Sequence, residues 1–276
     1  MAVISAADVA KLRRVTGAGM MDCKKALEEA EGNFDKAIEI IRKKGQAIAN
    51  KRADREASEG VVLSKVTADA GTGMMIALNC ETDFVAKNEE FIKFANSILD
   101  KALSAGSKSL EEVLALQLDN ETIADKIVEQ IGIIGEKIEL SYFSRIDADH
   151  VQAYIHPGNK LSTMAGFNKS GIDIQVYKDV AMQIAAMNPV SLDKNDVPAA
   201  TLASEMEIAK EQARREGKPE AMLDKIAEGK LNKFFKESTL LNQEFVKDNK
   251  MTIRQYLQSI NKDLTVTSFA RFTLNL

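Results

Sequence analysis

Residues Met74 to Leu99, MMIALNCETDFVAKNEEFIKFANSIL, hold a strand, a junction and a helix in 26 positions. The first eight residues read as a strand. They face a second apolar run, VVLSKVTA from Val61, across the turn-forming residues Asp69-Ala70-Gly71-Thr72-Gly73, so a β-hairpin is expected. Phe91, Phe94, Ala95 and Ile98 then recur at helical spacing. Between them the carboxylate of Asp83 stands beside the large ring of Phe84. Two readings of that junction are open. If one helix runs unbroken from Asp83, Phe84 shares a face with Phe91, Ala95 and Ile98 and is an ordinary core residue. If instead Asn88 caps a helix that starts after it, Thr82 to Lys87 form a separate turn that presents the ring. A ring so presented can act as a wedge, forcing a partner's side chains apart while the neighbouring carboxylate competes for a polar or metal-bound group.

Working outward, the N-terminal residues read as three short helices in a minimal bundle, residues 1–50. Ser5-x-x-Asp8 opens the first as a capping box and Gly17-Ala18-Gly19 breaks it. Cys23, Ala26, Leu27 and Ala30 mark one face of the second. Asn33 caps the third, Phe34, Ala37, Ile38 and Ile41 give its apolar face, and Gly45 is expected to close it. The charged run KRADREAS from Lys51 reads as a linker, residues 51–59. Residues 60–140 form a first α+β subdomain, and 141–197 with 238–263 a second. KIELSYFSRI, which spans the boundary between them, and HVQAYIH and KLSTMAGF in the second read as strands. Tyr177, Val180, Ala181 and Ile184 repeat the pattern of Phe91, Phe94, Ala95 and Ile98 at one fixed offset, which points to two related hairpin-plus-helix units. Residues 198–237 read as an antiparallel helical hairpin. Its seams are Leu202, Met206, Ala209, Ala213 and Leu223, Ile226, Ala227, Phe234; its tip is Gly217-Lys218-Pro219, and each arm is roughly 24 Å long. Mostly charged faces suggest that it projects from the body. After a short helix over 252–261, the alternating tail 264–276 reads as a terminal strand. The fold class is therefore α+β, with helices packed on antiparallel sheets.

Composition narrows the functional classes. Lys and Arg number 37 against 41 acids in 276 residues, so no basic surface for phosphate binding is available and a direct nucleic-acid binder is not expected. No apolar run reaches the length of a membrane span, and MAVISAADVAKLRRV lacks the layout of a signal or import leader. A cytoplasmic protein without membrane contact is expected.

Catalytic chemistry finds little footing. His150 and His156 can share a strand face, but about 20 Å along the strand separates them, too far to ligate one metal. Cys23 and Cys80 lack a local base and read as packed thiols, not nucleophiles. A Cys80 thiol enzyme would need an exposed, low-pKa sulfur. Gly17-Ala18-Gly19 is not a phosphate loop, because no Lys-Ser/Thr follows it. The glycines leave Met20 and Met21 at a helix mouth, where both cannot face a core. Core filling and partner contact are equally open for them. No catalytic residue, metal site or cofactor is expected.

Two runs carry a resemblance that covers nearly the whole chain. TGAGMMDCKKAL, Thr16 to Leu27, and CETDFVAKN, Cys80 to Asn88, are similar to the signature motifs of the elongation factor Ts family. Ile134-Gly135-Glu136, Asn188-Pro189, the Gly217-Lys218-Pro219 tip and Glu228-Gly229-Lys230-Leu231 resemble its downstream landmarks. One stretch departs: after His156 the family usually has a glycine-rich run ending in Arg, Ile, Gly, Val, and this chain reads Pro157-Gly158-Asn159-Lys160-Leu161-Ser162. The resemblance implies a ubiquitin-associated-like N-terminal bundle, and a protein that binds GDP-bound elongation factor Tu and exchanges its nucleotide without being an enzyme. It implies that Thr82, Asp83, Phe84 and Val85 displace Mg²⁺ from that GTPase. It also assigns partner contacts to Leu12, Arg13, Gly19, Met20, Met21, Ile134, Gly135 and His156. A homodimer or a two-to-two complex is compatible with the helical hairpin. The alternative is a ubiquitin-associated-type adaptor or assembly protein without exchange activity, which leaves the TDFV run unexplained.

Overall fold

The computed structural model describes residues 4–274; residues 1–3 and 275–276, at the outer ends of the first and last segments expected above, lie outside them. The chain parts into two compact units. One holds the residues up to Leu63 together with Ile76–Ser144, the other Ser64–Met75 with Arg145–Thr273. Mixed helices and small antiparallel sheets make the fold α+β, as the residue patterns led us to expect.

The first unit begins with α1 (Ala6–Thr16), α2 (Met20–Glu29) and α3 (Phe34–Arg52). Ser5 and Asp8 form the expected capping box, and Gly17 ends α1 with φ +66°. Val9, Leu12, Cys23, Ala26, Leu27 and Ala37 close into one small core. The third helix differs from expectation. It does not stop at Gly45 but continues to Arg52, so Lys51 and Arg52 are helical. Gly45 lies where α7 crosses α3: a Cβ built on Gly132 would lie 2.8 Å from the Gly45 Cα, so the close approach requires glycine at position 132.

The hairpin follows as β1 (Glu59–Val66) and β2 (Thr72–Cys80). After it come α4 (Asp83–Ala86), α5 (Glu89–Ala105) and α6 (Leu110–Ala115). A minimal ladder of β3 (Gln117–Leu118) and β4 (Glu121–Thr122) leads into α7 (Ile123–Ile134) and β5 (Glu139–Asp147). The sheet order is β1-β2-β5. Phe91, Ala95, Ile98, Leu99 and Ala102 are the buried face of α5, and Gly132 lies on α7 where that helix crosses α3.

The second unit carries β6 (His150–Ile155), β7 (Leu161–Phe167), α8 (Ile174–Met187), α9 (Ala199–Arg215), α10 (Leu223–Ser238), β8 (Glu244–Phe245), β9 (Asp248–Thr252), α11 (Ile253–Ile260) and β10 (Val266–Thr273). Its sheet is antiparallel in the order β10-β7-β6, with Met164 facing Ala270 on one side and Ala153 on the other. The turn at Ser64–Met75 belongs here: Val151 donates its N–H to the Ala70 carbonyl at 2.6 Å, and Ser64 and Ser162 share a hydroxyl contact of 2.6 Å. Tyr177, Val180, Ala181 and Ile184 are all buried on α8; of their counterparts on α5 only Phe94 is partly exposed. Helices α9 and α10 pair as the expected hairpin about Gly217, at φ +74°. Ala209, Ala213, Leu223 and Ala227 are its buried seam. Leu202, Met206, Ile226 and Phe234 are only half-buried, because a two-helix contact covers a narrow stripe.

Candidate partner-binding site

Strand β2 ends at Cys80 and hands the chain to Glu81 and Thr82 in extended conformation. Thr82 caps α4, its hydroxyl accepting the Val85 N–H at 3.4 Å. That helix is a single turn. Asn88, itself extended at φ −69° and ψ 128°, interrupts the helical path and caps α5 by accepting the Glu90 N–H at 2.8 Å. Of the two readings open in the sequence, the structure has the separate turn. The ring of Phe84 is 82% exposed, whereas Phe91, seven residues on, is 1% exposed. Ala86 is the buried residue of the turn and Val85 is half-buried. Asp83 points to the surface and pairs with Lys87 at 2.5 Å, which raises the Lys87 ammonium above its ordinary value.

The entrance to this turn is braced from a distant part of the chain. Glu136, just past the end of α7, accepts the N–H groups of Glu81 and Thr82 on one carboxylate oxygen, each at 3.1 Å. Its other oxygen accepts the Thr82 hydroxyl at 2.7 Å. Glu81 answers in the opposite sense, accepting the Lys137 N–H at 2.6 Å and two bonds from one Arg52 nitrogen at 2.8 and 2.9 Å. Burial pushes the Glu81 carboxyl up, but the Lys137 N–H and the Arg52 guanidinium outweigh it and leave the group below its usual range. The ends of α3, β2 and α7 are thereby cross-linked at the base of the Phe84 turn. Nothing local in the sequence marks Arg52, Glu81 and Glu136 as a group, since their partners lie 29 to 56 residues away.

The other expected contact residues divide by position. At the start of α2, Met20 and Met21 are 42% and 64% exposed, and Val15 on the preceding helix is also exposed. The turn that carries them rests on α7: a Cβ at Gly17 would come within 2.9 Å of the Ile133 Cδ1. Arg13 and Gly19 are exposed on the same bundle. Leu12 is not; it is fully buried, and its side chain packs in the core that holds α1. Ile134 and Gly135 are half-buried at the α7 C-terminus, where Gly135 has φ +80°. Met20, Phe84 and Ile134 thus belong to one unit, while His156 belongs to the other. There it is exposed, with its Nδ1 3.0 Å from the Tyr154 hydroxyl.

Catalytic readings lose ground on geometry. Cys80 is buried, its thiol donating to the Thr82 carbonyl at 3.2 Å; burial and the nearby Glu136 charge push it up to about 12. A thiol held so far from ionisation is a poor nucleophile. His150 is stacked on Tyr177 at 3.7 Å and burial lowers its pKa. Among the described residues no three His, Cys, Asp or Glu side chains gather as a metal site.

Comparison with known proteins gives this surface a context. The family model for elongation factor TS matches residues 81–275. The chain is 56% identical to elongation factor Ts of Porphyromonas gingivalis over 270 residues, 97% of each chain. It is 52% identical to that of Christiangramia forsetii over 276 residues, 99% of this chain and all of the relative. The chain belongs to the elongation factor Ts family. It is thus a translation elongation factor. The match to the elongation factor Ts model begins at Glu81, at the base of the Phe84 turn; the Met20-Met21 helix mouth precedes it and is spanned by the full-length relatives. Among the described residues no helix is long and apolar enough to cross a membrane.

Proposed function

We propose that this chain binds elongation factor Tu in its GDP-bound form and accelerates GDP release by unseating the Mg²⁺ ion of that GTPase, so that GTP can replace GDP. The observation that carries the reading is Phe84: a large ring, 82% exposed, on a one-turn helix clamped at its entrance. In this mechanism the ring inserts between side chains of the GTPase, and Asp83, beside it, perturbs the groups that hold the ion. Met20, Met21, Arg13 and Gly19 dock the bundle on the nucleotide-binding domain, with Ile134 and Gly135 alongside. The second unit, with His156, holds another part of the same partner. The chain binds no nucleotide and breaks no bond, and it works in the cytoplasm.

Exchange is a coupling between two ligands of one GTPase. The factor and GDP weaken each other's binding equally, because linkage is reciprocal. A ten-thousandfold faster release needs roughly 5.5 kcal/mol off the barrier. Burying one Phe side chain supplies about 1.5–3 kcal/mol, so the ring alone falls short. The remainder comes from the Met20-Met21 surface and the second unit, contacts that need not touch the nucleotide. Loss of the ion is what converts them into release, since Mg²⁺ neutralises the phosphate charge.

The test is release of a fluorescent GDP from elongation factor Tu, with and without the chain, in millimolar Mg²⁺ and after chelation. Metal displacement requires the stimulation to shrink strongly once the ion has been stripped. An equal factor of stimulation in both conditions would refute the metal route, and no stimulation in either would remove the exchange function.

A further inference from the structure

We infer that Glu136 is a positioning residue for Phe84: its carboxylate fixes the pose in which the Thr82–Val85 turn presents the ring. Helix α4 has four residues, far below the length at which a helix holds itself in water. Its internal bonds are few, with Ala86 and Lys87 donating to the Thr82 and Asp83 carbonyls at 3.2 and 3.0 Å. The side chains of the turn anchor it only in part, since Phe84 is in solvent, Val85 is half-buried and the buried Ala86 is small. The strongest directional anchors lie in the stretch that enters the turn. There the Glu136 carboxylate takes the Glu81 N–H, the Thr82 N–H and the Thr82 hydroxyl at once. Bonds to an ionised acceptor are the strong kind, and three converging on one carboxylate define a direction as well as a distance.

Glu136 is itself well placed to serve as a reference point. The next residue, Lys137, donates its N–H to Glu81, which Arg52 holds from the end of α3. Three residues before Glu136, Ile133 supports the Gly17 turn beneath Met20 and Met21. Residues 133–136 therefore index two exposed features, the methionine pair and the aromatic ring, to one helix end. The consequence for exchange rests on the function proposed above; the pose of the turn does not.

The chain has no Trp, so Phe84→Trp makes a single-tryptophan protein whose fluorescence anisotropy reports the order of the turn. Adding Glu136→Ala should lower that anisotropy while the melting temperature shows the fold retained. Glu136→Gln should restore much of it, because a carboxamide oxygen can still accept the two N–H groups and its NH₂ can donate to the Thr82 hydroxyl. Anisotropy unchanged in Glu136→Ala overturns the proposal; should that variant not fold, Glu136→Asp, whose shorter side chain cannot reach all three donors, should lower the anisotropy in its place, and no change there overturns it. In GDP release, Glu136→Ala should slow the stimulated rate about tenfold, the scale of one charged hydrogen bond. It should have no further effect in a Phe84→Ala background. An equal loss in both backgrounds overturns action through the ring. If Phe84→Ala itself leaves release unchanged, the exchange reading fails, and the anisotropy still decides what Glu136 does.

Discussion

Replacing Phe84 and Phe91 by alanine, one at a time, separates a presented ring from a packing ring within seven residues. Full burial of a Phe side chain is worth about 1.5–3 kcal/mol, and Phe84 keeps 82% of its surface in water. The fold therefore gains only about 0.5 kcal/mol from this ring. Alanine is the better helix former by a comparable amount, so Phe84→Ala should leave stability within about 0.5 kcal/mol of the parent. Phe91 is 1% exposed, and its truncation loses the transfer energy and leaves a cavity, about 3–5 kcal/mol together. Urea unfolding followed by circular dichroism reads both. Fluorescent GDP release from elongation factor Tu, at saturating factor and below the unfolding transition, reads function. Phe84→Ala should keep its midpoint and lose at least about tenfold in stimulated release; Phe91→Ala should lose its midpoint and keep most of the release per folded molecule. A Phe84→Ala variant that loses about 3 kcal/mol, or that releases GDP at the parent rate, refutes the assignment of the ring to the partner.

Three further outcomes follow from the packing and burial of single side chains. Gly132→Ala places a methyl group 2.8 Å from the Gly45 Cα, backbone that cannot swing aside, so the α3–α7 crossing should loosen at a cost of about 1–3 kcal/mol; an unchanged urea midpoint would contradict this. Cys80, pushed up to about 12, should resist iodoacetamide at pH 8 in the native protein and react once urea unfolds it. Rapid native alkylation at Cys80, read by peptide mass, would show the thiol to be accessible and ionised. Burial lowers the His150 pKa below its unfolded value of 6.5, so the unfolded chain takes up the proton first as the solution is acidified. The His150 contribution is therefore complete above about pH 6.5 and declines as pH falls through the lower folded value. Between pH 7.5 and pH 5 the urea midpoint of the parent should fall relative to that of His150→Phe, and a pH-independent difference would refute the shift.

Local pattern made much of this architecture legible and left one class of feature out of reach. The capping box at Ser5 and Asp8, the hairpin around Gly71, the apolar face of α5 and the terminal strand all follow from side chains within a few positions of each other. Gly45 does not end α3: a glycine inside a helix and one that closes it look alike in sequence, and only the packing of Gly132 against the Gly45 Cα shows that the helix runs on beneath α7. Phe84 was ambiguous for a related reason. The period of α5 extends backward onto it, and only the extended conformation of Asn88 separates the two helices. The brace of Arg52, Glu81 and Glu136 is formed by residues that nothing but tertiary structure brings together. Leu12 is the reverse case: its burial follows from the apolar spacing of α1, whereas the partner contact assigned to it came from the family resemblance alone.

An exposed aromatic on a pliant loop does not stay exposed. Folding back onto its own protein would recover up to the same 1.5–3 kcal/mol that insertion into a partner supplies, and would cancel the advantage of having a wedge. The ring can remain available only if the retreat costs more than it returns. Here the retreat would have to swing Thr82 away from Glu136, breaking two bonds to an ionised carboxylate and stretching a third at Glu81. Each such bond is worth about 1.5–3 kcal/mol net, so the clamp outweighs collapse. The same account explains why the turn is short and capped at both ends: every added flexible residue would multiply the poses in which the ring lies down. Presentation of Phe84 is thus a property of Glu136 and its partners as much as of the ring.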